Sequence, residues 1–173
     1  NNPWLRRIML EVFIFSTLNG LVTGLLLFML ASGLTLIFSM MGVLNFAHAS
    51  FYMLGAYLAY QVGYFTGFWP ALFLAPILVG AFGAVVERYG LRTVHKFGHV
   101  AELLFTFGLA YVIEEVVHLI WGRAPVDYRV PASLDFTIFT IFTTKYPAYR
   151  AFMMAISVSM LVALYLLLTR TRV

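Results

Sequence analysis

Apolar residues fill the first half of the chain in one long block. From Val12 to Val86, 75 residues, there is no Asp, Glu, Lys or Arg, and His48 is the one strongly polar ring in the block. A water-soluble domain needs charged residues on its surface, whereas each charge at the centre of a bilayer costs about 2.5–3.5 kcal/mol on insertion scales. The pattern therefore predicts a chain embedded in a membrane.

Five apolar segments predict an all-α polytopic membrane protein with about five transmembrane helices. They cover residues 18–40, 49–65, 69–86, 103–121 and 151–168. We expect a broken or re-entrant segment around residues 41–49, because Gly42 loosens the helix there. The stretch before residue 18 carries Trp4, Arg6 and Arg7, a mixture that indicates an interfacial anchor.

The basic residues lie at segment ends and in short loops. Residues 87–102 contain Arg88, Arg92 and Lys96, so the positive-inside rule predicts a cytoplasmic loop. This orientation puts residues 122–150 outside and the basic C-terminal tail inside. It also puts the basic N-terminus outside, against the rule, and we give the two later basic clusters more weight.

The predicted outer loop, residues 122–150, is too long for a simple connection. It contains three prolines and then a run at residues 135–142 that is rich in β-branched and aromatic residues. Such a run predicts a short β-hairpin. The loop either covers the helix ends or offers a docking surface to an external partner.

Composition excludes several classes of function. Hydrophobic residues make up 62% and charged residues 10%, against about 45–50% and 25% in an average globular protein. The net charge of +4 is confined to segment ends and does not indicate a nucleic-acid partner. The chain has no cysteine, which excludes disulfides and thiolate metal sites. There is no Walker-type loop and no Ser/His/Asp or Cys/His set, so we expect no catalytic residues and no enzyme activity.

Asn45 and His48 are polar residues within the apolar block, and three positions apart they would share one face of a helix. Their donors and acceptors cannot be left bare in hydrocarbon. They form either a hydrogen-bonded lock between helices or part of a substrate path at a discontinuous helix. Tyr52, one turn on, would line the same path. A metal site is not expected, because one histidine without a nearby carboxylate cannot complete a coordination shell.

Glu114, Glu115 and His118 form a second candidate group in the outer third of the fourth segment. His118 is one helical turn from both glutamates, so a carboxylate–imidazole pair is geometrically available. Ionisable residues deep in a membrane are functional candidates, but here the predicted depth is shallow. We therefore interpret these side chains as solvated at the membrane interface. A proton relay would need a second acidic site in another helix, and the other predicted segments offer none.

Several short strings occur together in a fixed order. They are residues 19–21 (NGL), 31–38 (ASGLTLIF), 42–48 (GVLNFAH) and 53–57 (MLGAY), followed by Glu87-Arg88 and Trp121-Gly122. Over residues 15–122 the chain resembles the LivH-type permease subunits of branched-chain amino-acid ABC importers. Two positions depart from the family pattern: Ala49 stands where Gly is usual, and Glu114-Glu115 stand where many relatives carry neutral amides.

The resemblance implies that the transport function is divided among several subunits. Residues 1–173 would form a single transmembrane permease domain, as the N-terminal part of a longer chain in the bacterial inner (plasma) membrane. Its partners would be the lipid bilayer, a homologous second permease, two cytoplasmic ATPase subunits that use ATP, and a periplasmic solute-binding protein. The chain itself would bind no cofactor.

The solute and the transport class stay open. Members of the group move branched-chain amino acids, urea, short amides or aromatic acids. The alternative function is a stand-alone secondary transporter or channel for a small solute. Such transporters usually carry buried carboxylates or broken helices in two related halves, and residues 1–90 and 91–173 show no convincing repeat.

Overall fold

Helices make up most of the computed structural model, which describes residues 3–141 and 144–170. Within these residues the α-helices are α1 (Pro3–Met41), α2 (His48–Thr66), α3 (Phe68–Val86), the single turn α4 (Arg92–Val94), α5 (His99–Trp121) and α6 (Ala148–Arg170). A π-helical turn at Glu87–Leu91 and 3-10 turns at His95–Phe97 and Ala132–Leu134 complete the helical part. The predicted all-α class is confirmed.

Four helical stretches of the described residues are long and apolar enough to cross a membrane. They are Pro3–Met41, Phe68–Phe97, His99–Trp121 and Ala148–Arg170. By length and composition the chain is therefore a multi-pass membrane protein. The predicted count of about five is one too high by this measure. The second predicted segment is a helix, α2, but His48, Gln61 and four tyrosines lower its hydropathy.

Helix α1 is longer than the sequence pattern predicts. It has 39 residues, which corresponds to about 58 Å at 1.5 Å per residue, roughly twice the thickness of a bilayer core. It begins at Pro3 rather than near residue 18, because Arg6, Arg7 and Glu11 interrupt the apolar pattern but favour the helical backbone. An interfacial anchor in this stretch stays a prediction.

The chain divides into two compact units, one made of Asn1–Ser32 with Arg129–Val173 and the other of Gly33–Tyr128. In the second unit α3 packs antiparallel to α2 after a turn at Gly67, whose φ is 89°. A Cβ on Gly55 would lie 3.5 Å from Val79 Cγ2. Small residues therefore let the two helices approach closely. The single-domain organisation expected for residues 1–173 stays a prediction.

An elbow, residues 87–98, connects α3 to α5 in the same unit. Arg92 Nε donates to Glu87 Oε1 at 2.7 Å across the π-helical turn. A Cβ on Gly90 would overlap the ring of Phe105 on α5, so glycine allows the ring to approach this closely. The elbow is thus packed directly onto α5.

In the first unit a β-hairpin precedes α6. Strand β1 (Thr137–Ile141) pairs antiparallel with β2 (Thr144–Pro147), which confirms the hairpin predicted between residues 122 and 150; Phe142, in the predicted run, lies outside the described residues. Tyr146 is 2% exposed, and its ring stacks on Phe139 with centroids 5.0 Å apart. Its hydroxyl lies 3.4 Å from Met154 Sδ. The tyrosine therefore fastens the hairpin to α6.

Candidate functional site

The predicted break between the first two helices is present. Gly42 has a φ of 66°, a left-handed conformation that glycine adopts without a steric penalty. Its N–H donates to the Phe38 carbonyl at 2.8 Å, which closes the last turn of α1. Residues 42–47 are not helical, and α2 begins at His48. The break expected around residues 41–49 is confirmed.

The break is re-entrant. The imidazole of His48 lies against Gly33, because a Cβ on Gly33 would come 2.9 Å from His48 Nε2 and 3.0 Å from Cε1. Gly33 precedes Met41, the end of α1, by eight residues, or about 12 Å of helix. Residues 42–47, the re-entrant segment, therefore run back along α1 before α2 starts.

Helix α5 holds the re-entrant segment from the other side. The Phe46 N–H donates to Thr106 Oγ1 at 3.3 Å, and the Thr106 hydroxyl donates to the Leu103 carbonyl at 3.2 Å. Thr106 is completely buried. It lies seven residues after His99, the first residue of α5, or about 10 Å along the helix. The re-entrant segment is therefore fixed within the length of the membrane-spanning helix and not at its end.

Asn45 has a local structural role. Its side-chain Oδ1 accepts a hydrogen bond from the Ala47 N–H at 3.0 Å, and its carbonyl accepts one from the His48 N–H at 3.1 Å. This is an Asx turn leading into α2. The prediction that Asn45 and His48 share a helical face is wrong, because α1 ends at Met41 and only His48 belongs to α2.

The three predicted path residues thus differ in position. Asn45 shapes the turn, His48 opens α2 with its ring against α1, and Tyr52 follows one turn later on α2 with 55% of its surface exposed. Thr106 and Gly33 complete this site, although the sequence pattern indicated neither. The roles of Asn45, His48 and Tyr52 in a substrate path stay predictions.

The second candidate group does not form a carboxylate–imidazole pair among the described residues. Glu115 Oε1 instead lies 3.4 Å from Nη2 of Arg123, and both side chains are exposed. Gly122, with a φ of 84°, ends α5 and turns the chain back so that Arg123 reaches Glu115. Glu114 is exposed, and His118 Nδ1 is buried without a hydrogen-bond partner in the described part of the chain. A functional role for Glu114, Glu115 and His118 stays a prediction.

A cluster that the sequence did not indicate lies where the elbow meets α5. The Glu102 side chain is 2% exposed, and its carboxylate accepts hydrogen bonds from Nδ1 of His95 and from Nδ1 of His99, the latter at 3.2 Å. His95 and Glu102 are seven residues apart across Gly98, whose φ of 91° breaks the helical period. The cluster fastens the elbow to α5. Within the described ranges no group of His, Cys, Asp or Glu is arranged to hold a metal ion.

An aromatic cavity of about 380 Å³ lies between α2, the start of α3 and the chain after α5. Tyr57, Tyr60 and Tyr128 are among its lining residues. Next to it, Trp121 Nε1 donates to Gln61 Oε1 at 3.0 Å. Its size falls at the lower end of the range for small-molecule pockets. Sequence patterns could not locate it, because residues 125–128 reach it only by folding back.

The chain is similar to known proteins over most of its length. A family profile described as "Branched-chain amino acid transport system / permease component" matches residues 16–173. The high-affinity branched-chain amino acid transport system permease protein LivH of Escherichia coli K12 is 27% identical over 124 residues, which are 66% of this chain and 40% of that protein. The corresponding protein BraD of Pseudomonas aeruginosa is 28% identical over 111 residues, 58% of this chain and 36% of BraD.

These matches therefore cover about 40% or less of the length of the curated relatives. No solved structure gives a significant match. The resemblance noted in the sequence is confirmed, because the family profile covers nearly the whole chain, including the re-entrant segment and all of α5. The chain belongs to the family of permease components of branched-chain amino acid transport systems.

Proposed function

We propose that this chain is a transmembrane permease subunit of an ATP-driven importer in a bacterial inner membrane. Its solutes are branched-chain amino acids or related small polar molecules. Two cytoplasmic ATPase subunits supply the energy, a homologous permease completes the path, and a periplasmic binding protein delivers the solute. Membership of the permease family and the four apolar helices support this proposal.

The re-entrant segment is the observation that carries the proposal. Irregular backbone is tolerated inside a membrane only where protein buries it or where it lines a water-filled cavity. Thr106 and the buried residues Val43 and Ala47 account for the side that packs on the protein, but Leu44 and Phe46 are 38% and 49% exposed. Lipid covers these apolar side chains but cannot hydrogen-bond the irregular backbone between them, so a second permease subunit or an aqueous path would supply the cover on this second side.

In this mechanism the start of α2 forms part of the solute path. His48 presents ring nitrogens beside a turn of irregular backbone, a combination typical of discontinuous helices at transport sites. Asn45 sets the direction in which α2 begins, and Tyr52 extends the polar lining by one turn. Glu114, Glu115 and His118 would lie at the outer end of α5, where interfacial water solvates them. Alternating access follows when ATP hydrolysis in the partner subunits moves the helices on either side of the re-entrant segment.

The test is leucine uptake into proteoliposomes that contain this protein with its partner subunits. We expect uptake to require ATP and the binding protein. His48→Ala should lower uptake per molecule of protein in the membrane, while Tyr64→Ala, which removes a 76% exposed ring from the same helix, should not. Equal loss of uptake and abundance in His48→Ala would favour a structural lock. ATP-independent uptake by this protein alone would favour the stand-alone transporter.

A further inference from the structure

A cationic side chain in the first unit has a neutral partner. Arg150 lies in the first turn of α6 and is half-buried. Its Nη1 donates a hydrogen bond to the side-chain Oδ1 of Asn19 on α1. Both helices are long and apolar enough to span the membrane, so the contact joins two membrane-spanning segments through a charged group.

The charge of Arg150 is not balanced within the described part of the chain. No described carboxylate lies within ion-pair distance of it, whereas Arg92 and Arg123 are paired with Glu87 and Glu115. A guanidinium stays protonated in proteins, and a partly buried charge without a counter-ion is unfavourable. An anion at this position would therefore be stabilised.

The geometry of the guanidinium restricts the kind of anion. Arginine has five N–H donors in a planar fork that matches the two oxygens of a carboxylate, and the contact with Asn19 engages Nη1 alone. Asn19 Oδ1 holds the fork in place. The remaining donors can bind a carboxylate in the bidentate manner.

Arg150 and Asn19 lie near one end of the apolar length of their helices. Asn19 precedes Met41, the end of α1, by 22 residues, which is about 33 Å and close to the thickness of a bilayer core. Arg150 is the third residue of α6. The half-buried guanidinium therefore lies near one end of this apolar length, where a solute in the water phase can reach it.

We propose that Arg150, oriented by Asn19, binds the carboxylate of the transported solute. The inference rests on the proposed permease function and narrows its substrate class. Amino acids and aromatic acids carry the group that this site recognises, whereas urea and simple amides do not. A lipid phosphate is the competing anion, but the Arg150 side chain is held by α1 instead of extending along its own helix to the headgroups, as an interfacial arginine does.

The experiment measures ligand binding to the purified transporter assembly in nanodiscs, without the binding protein. The probes are L-leucine and L-leucinamide, which differ in whether the terminal group is a carboxylate or an amide. The variants are Arg150→Gln, Arg150→Lys and Asn19→Asp, and the last places a carboxylate directly on the guanidinium. Arg129→Gln, at an exposed arginine of the same unit, is the matched control.

We expect Arg150→Gln and Asn19→Asp to weaken leucine binding by about tenfold or more, the effect of losing a bidentate charged contact. The leucine affinity of Arg150→Lys should lie between that of these two variants and that of the wild type, because lysine is a point charge without the planar fork of donors. Arg129→Gln should bind leucine as the wild type does. Leucinamide should bind weakly to the wild type and be insensitive to Arg150→Gln.

Equal binding of leucine and leucinamide, or unchanged leucine binding in Arg150→Gln, overturns the inference. So does an effect that occurs only with phosphatidylglycerol and not with phosphatidylcholine alone, because the bound anion is then the headgroup of an anionic lipid. If ATP-dependent leucine uptake into proteoliposomes persists in these cases, the proposed permease function stands without the inference. Loss of ATP dependence in the wild type contradicts the proposed function itself.

Discussion

Replacing Gly33 with alanine tests whether the position of the His48 ring matters for transport. The added methyl group would lie 2.9 Å from Nε2 and 3.0 Å from Cε1 of His48. Favourable contacts between such atoms lie at about 3.5–4.0 Å. The ring must therefore move by roughly 0.5–1 Å, away from the place that the re-entrant segment gives it.

The cost in stability should be small. Alanine is favoured over glycine within a helix by about 1 kcal/mol, whereas overpacking costs about 1–3 kcal/mol. The imidazole is the end of a flexible side chain and can rotate, which puts the overpacking cost at the lower end of that range. The two effects nearly cancel, so we expect the free energy of unfolding of Gly33→Ala to stay within about 1 kcal/mol of the wild type.

Transport should respond differently. We expect ATP-dependent leucine uptake by Gly33→Ala, normalised to protein in the membrane, to fall to the level of His48→Ala. The control is Gly24→Ala in the same helix, where an added Cβ has nothing within 4 Å. The double variant should be no worse than His48→Ala alone, because no ring is left to displace. Normal uptake by Gly33→Ala, or additive losses in the double variant, would refute the reasoning.

Two further predictions concern buried polar groups. Thr106→Val leaves the Phe46 N–H without its partner and should lower the free energy of unfolding by about 1–3 kcal/mol. Denaturant unfolding in detergent measures this, and Thr106→Ser, which keeps the hydroxyl, should lose much less. Alanine at both His95 and His99 should lower the melting temperature, because Glu102 stays buried without its imidazole partners. Adding Glu102→Gln should recover part of that loss, and no recovery would mean that the carboxylate is not the destabilising group.

The positions of the helices followed from the sequence because long apolar runs are a strong signal. The predicted and observed ends of α3 agree, at Val86, and those of α2 differ by one residue. The start of α1 was missed for a physical reason. Charged residues end an apolar run but do not end a helix. Hydropathy marks where the apolar run ends and does not mark where the helix ends.

The site was predicted less completely than the helices. Asn45 and His48 were selected for their polarity, but a spacing of three residues occurs on a helical face and also in an Asx turn before a helix. Gly33 was missed because its contact with His48 depends on the re-entrant path. Thr106 was missed because a single threonine in an apolar helix usually bonds only to its own backbone, and nothing in the pattern indicates the additional contact with Phe46.

The packing of the elbow has a consequence for spectroscopy. Gly90 admits the Phe105 ring against the π-helical turn, and Glu102 is held by histidines from both sides of Gly98. These contacts hold α3 and α5 in a fixed relative position, so we expect the two helices to move as one rigid body. Spin labels on these two helices should keep a constant separation throughout turnover, and a label on either would report the displacement of both.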